Sequence, residues 1–337
     1  MLKFIALALG AFGARADKLQ YFGVWELEKN TSTSPASVAP WANFAFTSDD
    51  PAYISRLHTE GGVRSLLRVD DALLCDDGAG TGRRLLCTDF AARWAALLAS
   101  AVRPLLASGA LFGVNFGDEL AWRCVPYSNI TAMVDAVRAD LPRAAAGNGA
   151  AAILYYNEAY PVFTDGQCSA GGDFDPHRVN ISYPSVPAGL DWLSVDYYPD
   201  EGTAAGVAPL YERFIYPKLL GAGQRVLFVP PAYGSRGNAS VGERLCCSAS
   251  TRDGANPPCG GNCTEALLQW ASAAYDWARA DERVVGLNPW HWATSGDQPQ
   301  FEPGLSAMPV LRAAYEAVGA EIVSGRLADI DFQLLQK

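Results

Sequence analysis

The sequence is short of charge and of histidine. Charged residues make up 18% of its 337 positions, and His58, His177 and His291 are its whole histidine complement, with no HxH or HExxH arrangement. Metal-dependent barrel hydrolases gather several histidine ligands, so that chemistry is not expected. Also missing are a GxSxG nucleophile elbow, a GxGxxG or Walker phosphate loop, and any Pro/Gly/Ser-rich linker. Bases are the scarcer charge, 26 against 36 acids, for a net charge of −10. A chain this acidic repels polyanions, which argues against nucleic acid as a partner. Glycine (32) and proline (21) follow no fixed period. Hydrophobic residues, at 50%, are too many for a disordered chain.

Long apolar runs are missing too. The one at Phe4–Ala14 is too short to span a bilayer, which takes about 20 residues. It follows Met1-Leu2-Lys3 and precedes Ala14-Arg15-Ala16, the small-x-small form of a signal-peptidase site, so residues 1–16 are expected to be a secretory signal. Lys3 and Arg15 leave with it, which takes the net charge from −10 to −12. No later stretch reads as a membrane span, and Ala328–Lys337 carries no hydrophobic anchor, so no membrane insertion is expected. Export also suits the eight cysteines and the five N-x-S/T sequons at Asn30, Asn129, Asn180, Asn238 and Asn262. In an oxidising compartment the cysteines read as disulfides rather than zinc ligands. The expected pairs are Cys75–Cys87 and Cys124–Cys168; Cys246, Cys247, Cys259 and Cys263 are left to pair among themselves, with connectivity open.

Eight short β-rich runs alternate with helical stretches: 19–25, 42–46, 63–69, 111–116, 151–156, 191–197, 225–229 and 284–288. Helices are expected after Asp89, after Ser128 or Asn129, from Thr264-Glu265, and over 307–318. With no linker, this is one α/β domain over residues 17–337, and polar residues at several strand ends favour a (β/α)8 TIM barrel over a doubly wound sheet.

The strand ends carry the candidate chemistry. In GVNFGDELAW, strict alternation puts Phe112, Val114 and Phe116 toward the helices and Asn115, Gly117 and Glu119 toward the axis. Asp118 is a candidate beside Glu119, although either acid could simply complement the following helix dipole. In LDWLSVDYYPDE the same logic sends Ser194, Asp196 and Tyr198 inward, with Tyr197 beside them. Glu158 closes LYYNEAYP with ambiguous phase. Asn288, Trp290 and Trp292 end the last strand, where aromatic faces suit sugar C–H surfaces and amides suit hydroxyls; at least one of the two tryptophans is expected in the core. Trp25, Glu26 and Tyr233 would add to this rim, and Arg68 is expected to pair with Asp70-Asp71. Carboxylates in an aromatic cleft, with neither metal nor organic cofactor, point to glycoside hydrolysis on an oligosaccharide, polysaccharide or glycoconjugate.

At these strand ends the chain resembles the TIM-barrel glycoside hydrolase superfamily, over its whole βα plan. The Asp118-Glu119 pair is similar to the Asp-Glu dyad of β-N-acetylhexosaminidase-type enzymes. That resemblance implies Glu119 as acid/base, Asp118 orienting a substrate acetamido group, and Tyr197 or Tyr198 with Trp290 or Trp292 around that group. The His-x-Gly-Gly lead-in and the Trp-x-Glu of the last strand are absent. In the chitinase DxxDxDxE pattern the aspartates are replaced by Phe112, Asn115 and Gly117, and VLFVPPAYG lacks the strand-seven carboxylate of the clan with an Asn-Glu acid/base. A barrel that binds carbohydrate without cleaving it is the alternative function. For the enzyme, Glu119 with Glu158 would sit near the ~5 Å of retaining glycosidases, and Glu119 with Asp196 nearer the ~6.5–9.5 Å of inverting ones.

Overall fold

The computed structural model describes residues 19–25, 27, 33–46, 50–78, 83–141, 152–170, 177–197, 207–221, 223–232, 263–290, 292, 304–327 and 330. The expected signal, the sequons at Asn30, Asn238 and Asn262, and Cys246, Cys247, Cys259, Glu26, Tyr198, Tyr233 and His291 lie outside them.

Eight parallel strands form a barrel: β1 Tyr21–Phe22, β2 Phe44–Phe46, β3 Arg64–Arg68, β4 Leu111–Asp118, β5 Ile153–Ala159, β6 Trp192–Asp196, β7 Arg225–Phe228 and β8 Val284–Leu287. Each lies within or close to one of the eight expected runs. The ladder runs from β2 through β3 to β8 and on to β1. The seam between β1 and β2 is bridged by Asn43. Its backbone N–H donates to Phe22 O (3.0 Å), its Oδ1 accepts from Phe22 N (3.0 Å), and its Nδ2 donates to Gln20 O (2.7 Å).

Helical segments follow the strands: α1 Pro35–Val38, α2 Pro51–Gly61, α3 Phe90–Ala107, α4 Tyr127–Asp140, α5 Tyr160–Thr164, α6 Val207–Leu210 (continued by tighter and wider turns to Lys218), α7 Cys263–Ala280 and α8 Pro309–Ser324. Local chemistry sets their ends. Asp50 caps α2 by accepting from Ala52 and Tyr53 N–H, Pro51 occupies its first turn, and Gly62 closes it at φ 69°. Asp89, expected as a cap, instead accepts from the Arg93 guanidinium at 2.7 Å, and Pro126 rather than Ser128 or Asn129 precedes α4. In α3 a wide turn at Leu98–Val102 stands just before Pro104, whose missing N–H interrupts the regular ladder. By length and composition alone α3 could cross a membrane, contrary to the sequence expectation. It buries Trp94, Leu98, Ala101, Val102 and Leu105 in the core between barrel wall and helices.

The barrel interior is floored by aromatics. Tyr21, Phe112 and Trp192 pack with ring centroids 4.8–5.1 Å apart, and the Arg64 guanidinium lies 4.4 Å above Phe112. Two short hairpins decorate the mouth side. Leu74–Asp76 pairs with Arg84–Leu86, and Gln167–Cys168 pairs with Val179–Asn180. Cys75–Cys87 and Cys124–Cys168 are both disulfide-bonded, and the second ties its hairpin to the turn after β4.

Candidate active site

Strand β4 does not alternate strictly, and this rearranges the expected site. Its register slips twice. Two β4 residues oppose one step of β3 where Ser65 pairs Leu111 and Leu66 pairs Gly113, and three oppose two steps of β5 between Asn115 and Asp118. The first bulge turns Phe112 inward onto the aromatic floor, against the expectation that it faces the helices, while Val114 and Phe116 remain in the outer core. The second passes through Gly117 at φ 122°, where a Cβ would lie 2.7 Å from the Asp70 carboxyl carbon. Only glycine fits there.

Beyond that bulge Asp118, not Glu119, takes the inward position. Asn157 Nδ2 donates to Asp118 Oδ1 and to Asp196 Oδ2, both at 2.7 Å. The amide is oriented from below: Ser194 Oγ donates to Asn157 Oδ1, and the Tyr155 hydroxyl bonds Ser194. With its oxygen engaged, both amide protons face the carboxylates. Burial pushes the Asp118 carboxyl above the usual carboxylate range. Asn157, Arg123 and Arg68 pull it back, and Asp70 raises it further. Arg68 holds Asp70 bidentately (2.6 and 2.8 Å), and Arg84 reaches both Asp70 (3.3 Å) and Asp71 (2.9 Å). Arg68 thus pairs as the sequence suggests, with Asp70 taking the guanidinium.

Glu119 adopts the left-handed conformation (φ 54°), and its largely covered carboxylate lies 4.0 Å from Arg123. The expected adjacent dyad is therefore split, with Asp118 on the bridging amide and Glu119 in the turn beyond. Glu158 faces the other way. Alternation after Tyr155 and Asn157 sends it outside the barrel, where it is fully buried and accepts from Ala121 N (2.9 Å), Trp122 N (3.0 Å) and Ala159 N (2.9 Å). Desolvation lifts its pKa to about 8 despite those three donors. The expectation of a catalytic Glu158 is corrected on this geometry, because it ties down the backbone of the turn that follows Asp118.

Opposite, Asn288 is fully buried and pairs through its N–H with Phe228 O (2.8 Å), while neither atom of its side-chain amide has a hydrogen-bond partner. Asn115 Nδ2 is likewise buried without a partner, its Oδ1 accepting from Gly117 N at 2.9 Å. Orphaned amides at the open end of a barrel are groups prepared for a polar ligand. Trp290, two residues past Asn288, is edge-on to Trp25 with centroids 5.0 Å apart. Trp292 is core instead. It is 4% exposed, stacked on Trp41, and its Nε1 donates to Thr33 Oγ1 at 2.9 Å. Tyr197 is half-buried and meets Tyr160 edge-on at 5.2 Å. Tyr160, 39% exposed at the end of β5, was not singled out in the sequence, although an aromatic just past a barrel strand is itself a signal. Among the described residues no group of three or more His, Cys, Asp or Glu is placed to hold a metal ion.

No protein-family model matches the sequence, and no curated protein matches it. Among solved structures the chain is similar to a GH2 beta-galacturonidase from Eisenbergiella tayi bound to galacturonate, at 13% identity and TM-score 0.50, over 84% of this chain and 46% of that one. A GH113 beta-1,4-mannanase aligns at 11% identity and TM-score 0.48, over 89% and 99% of the two chains. A class V chitinase from Nicotiana tobaccum aligns at 11% and 0.46, over 91% and 99%. Likeness at such identity speaks to architecture alone; the eight-stranded parallel ladder with its helices is that of a (β/α)8 barrel.

Proposed function

We propose that the chain is a secreted, glycosylated glycoside hydrolase that cleaves O-glycosidic bonds of an oligosaccharide, polysaccharide or glycoconjugate at the barrel mouth, without metal or organic cofactor. The observation that carries this reading is the bridge from Asn157 to Asp118 and Asp196. One nitrogen lies 2.7 Å from an oxygen of each, so those two oxygens are no more than about 5.4 Å apart, twice that distance. The short spacing favours retention of configuration. Two carboxyls this close cannot both ionise freely, and burial already favours the proton on Asp118. Asp118 then serves as the acid for the leaving oxygen, and Asp196 attacks or stabilises the anomeric centre. Asn115, Asn288 and Trp290, with Tyr160 and Tyr197 on the rim, bind the sugar. This moves the acid expected at Glu119 one residue earlier and keeps Asp196 as its partner. The exposed sequon Asn180 and the two disulfides support passage through an oxidising secretory compartment.

The test is an aryl-glycoside panel run on the full chain beside Asp118→Asn, Asp196→Asn and Glu119→Gln. Each of the two Asp variants is expected to lose about 10²–10⁴-fold in kcat/KM, as for removal of an acid/base group, with Glu119→Gln much less affected. The reverse ranking would return the acid to Glu119. No turnover by the unaltered protein, with glycan binding retained, would replace the enzyme by a carbohydrate-binding barrel.

A further inference from the structure

The outer ring is thin beside β5. Where a barrel helix would cover that strand, α5 is a single turn, and the chain continues through the Gln167–Cys168/Val179–Asn180 hairpin into an extended stretch ending near Leu190. A cavity of about 330 Å³ lies on this side, and none of Asp118, Asn157, Asp196 or Asn288 lines it. Its walls are Ala121, Val125, Pro126 and Tyr127 of the β4–α4 connection, the Cys124–Cys168 disulfide, and Val179–Tyr183. At about 30 Å³ per water-sized group it has room for about ten non-hydrogen atoms.

The walls are mostly apolar, but the cavity is not dry by design. Tyr183, 4% exposed, is one of its walls, and its buried hydroxyl has no hydrogen-bond partner, although its ring is packed edge-on by Tyr127 and Phe163. A buried hydroxyl left unpaired costs free energy that a ligand would recover. Burial is the larger cause that pushes the Tyr183 pKa up, and the same desolvation disfavours a negatively charged ligand group at this depth. Arg83 is the cation at the cavity, on its exposed rim.

We infer that this lateral cavity is a second binding site, distinct from the barrel mouth, for a small neutral amphipathic molecule whose apolar body fills the walls and whose single hydroxyl bonds Tyr183 Oη. A phenol has that shape and chemistry, and p-cresol is a suitable probe.

Calorimetric titration of the full chain with p-cresol, toluene and 4-methylbenzoate tests it. The site predicts saturable p-cresol binding, with toluene and 4-methylbenzoate each about three- to tenfold weaker, the worth of one hydrogen bond. Tyr183→Phe removes an unpartnered buried oxygen, so it should not lower Tm and should bring p-cresol down to the affinity of toluene. Val125→Phe fills the space and should abolish binding of all three. Binding of p-cresol that survives Val125→Phe would place it at the mouth aromatics and overturn the assignment. So would equal affinity for p-cresol and toluene, or no binding at all.

Discussion

The two ends of this barrel are built to opposite rules. At the floor, Tyr21, Phe112 and Trp192 come from β1, β4 and β6 and interlock as a ring triad, with Phe44, Leu66, Tyr155 and Leu227 around them. At the mouth, β4, β5 and β6 carry Asp118, Asn157 and Asp196, Asn288 follows β8, and two amides are buried with unanswered hydrogen-bonding groups. The floor spends its residues on packing and the mouth holds polar groups ready for something else. Stability and function should therefore come apart along the barrel axis. The sharpest way to break that claim is Trp192→Ala, which empties the floor. It should cost about 3–5 kcal/mol of stability, read as a lowered denaturant midpoint, and leave kcat of the folded protein close to that of the unaltered chain. A loss of kcat as deep as that of Asp196→Asn would show that the two ends are not separable.

The mouth, unlike the floor, should also carry a pH dependence. Glu158 secures the turn beyond Asp118 and holds its proton up to about pH 8, against the usual 4.5. The native state therefore binds the extra proton between those values. Its contribution is fully present below pH 4.5 and is lost as pH rises toward 8, at up to about 1.4 kcal/mol per pH unit. Chemical denaturation of Glu158→Gln across pH 5–8 should flatten that slope. An unchanged slope would remove Glu158 as its source.

A smaller effect tests the bulge that brings Asp118 to the mouth. Gly117→Ala forces a Cβ against the Asp70 carboxyl at a positive φ, for about 1–3 kcal/mol. Because the strain falls on β4 at the mouth, kcat/KM should drop along with Tm. A fall in Tm alone would mean the bulge matters only for folding.

The same contrast explains what could be read without coordinates. Strand β6 is regular. Leu193 and Val195 lie outward and Trp192 and Ser194 inward, as alternation from the sequence requires, and Asp196 bonds Asn157. Strand β4 defeats alternation because each bulge shifts the phase by one residue, which sends Phe112 inward and puts Asp118 where Glu119 was expected. The signal was present in Gly113 and Gly117, since glycine inside a strand marks a bulge or a close backbone approach. A Cβ at Gly113 would lie 2.0 Å from Ile153 O. Glu158 was not legible in the same way. A carboxylate at a strand end looks identical in sequence whether it faces a mouth or three backbone amides. Trp290 and Trp292 share one phase in the sequence, and only Trp41 and Thr33, distant in the chain, claim the second for the core.

The smallest effect has the opposite sign, which makes it the most discriminating. At the floor every truncation should destabilise. At Asn288 the folded chain already bears the desolvation cost of an amide with no partner. Replacing it by leucine of similar size removes that cost and buries apolar surface in its place, so Asn288→Leu should raise stability by about 1 kcal/mol. If the amide is kept for a ligand, the same change should weaken sugar binding and raise KM, with the carboxylate pair untouched and kcat little altered. Thermal unfolding together with KM on the best substrate of the panel decides it. A gain in stability with unchanged KM would make Asn288 a mere packing defect, and a loss of stability would mean that its amide is satisfied in solution and belongs with the floor rather than the mouth.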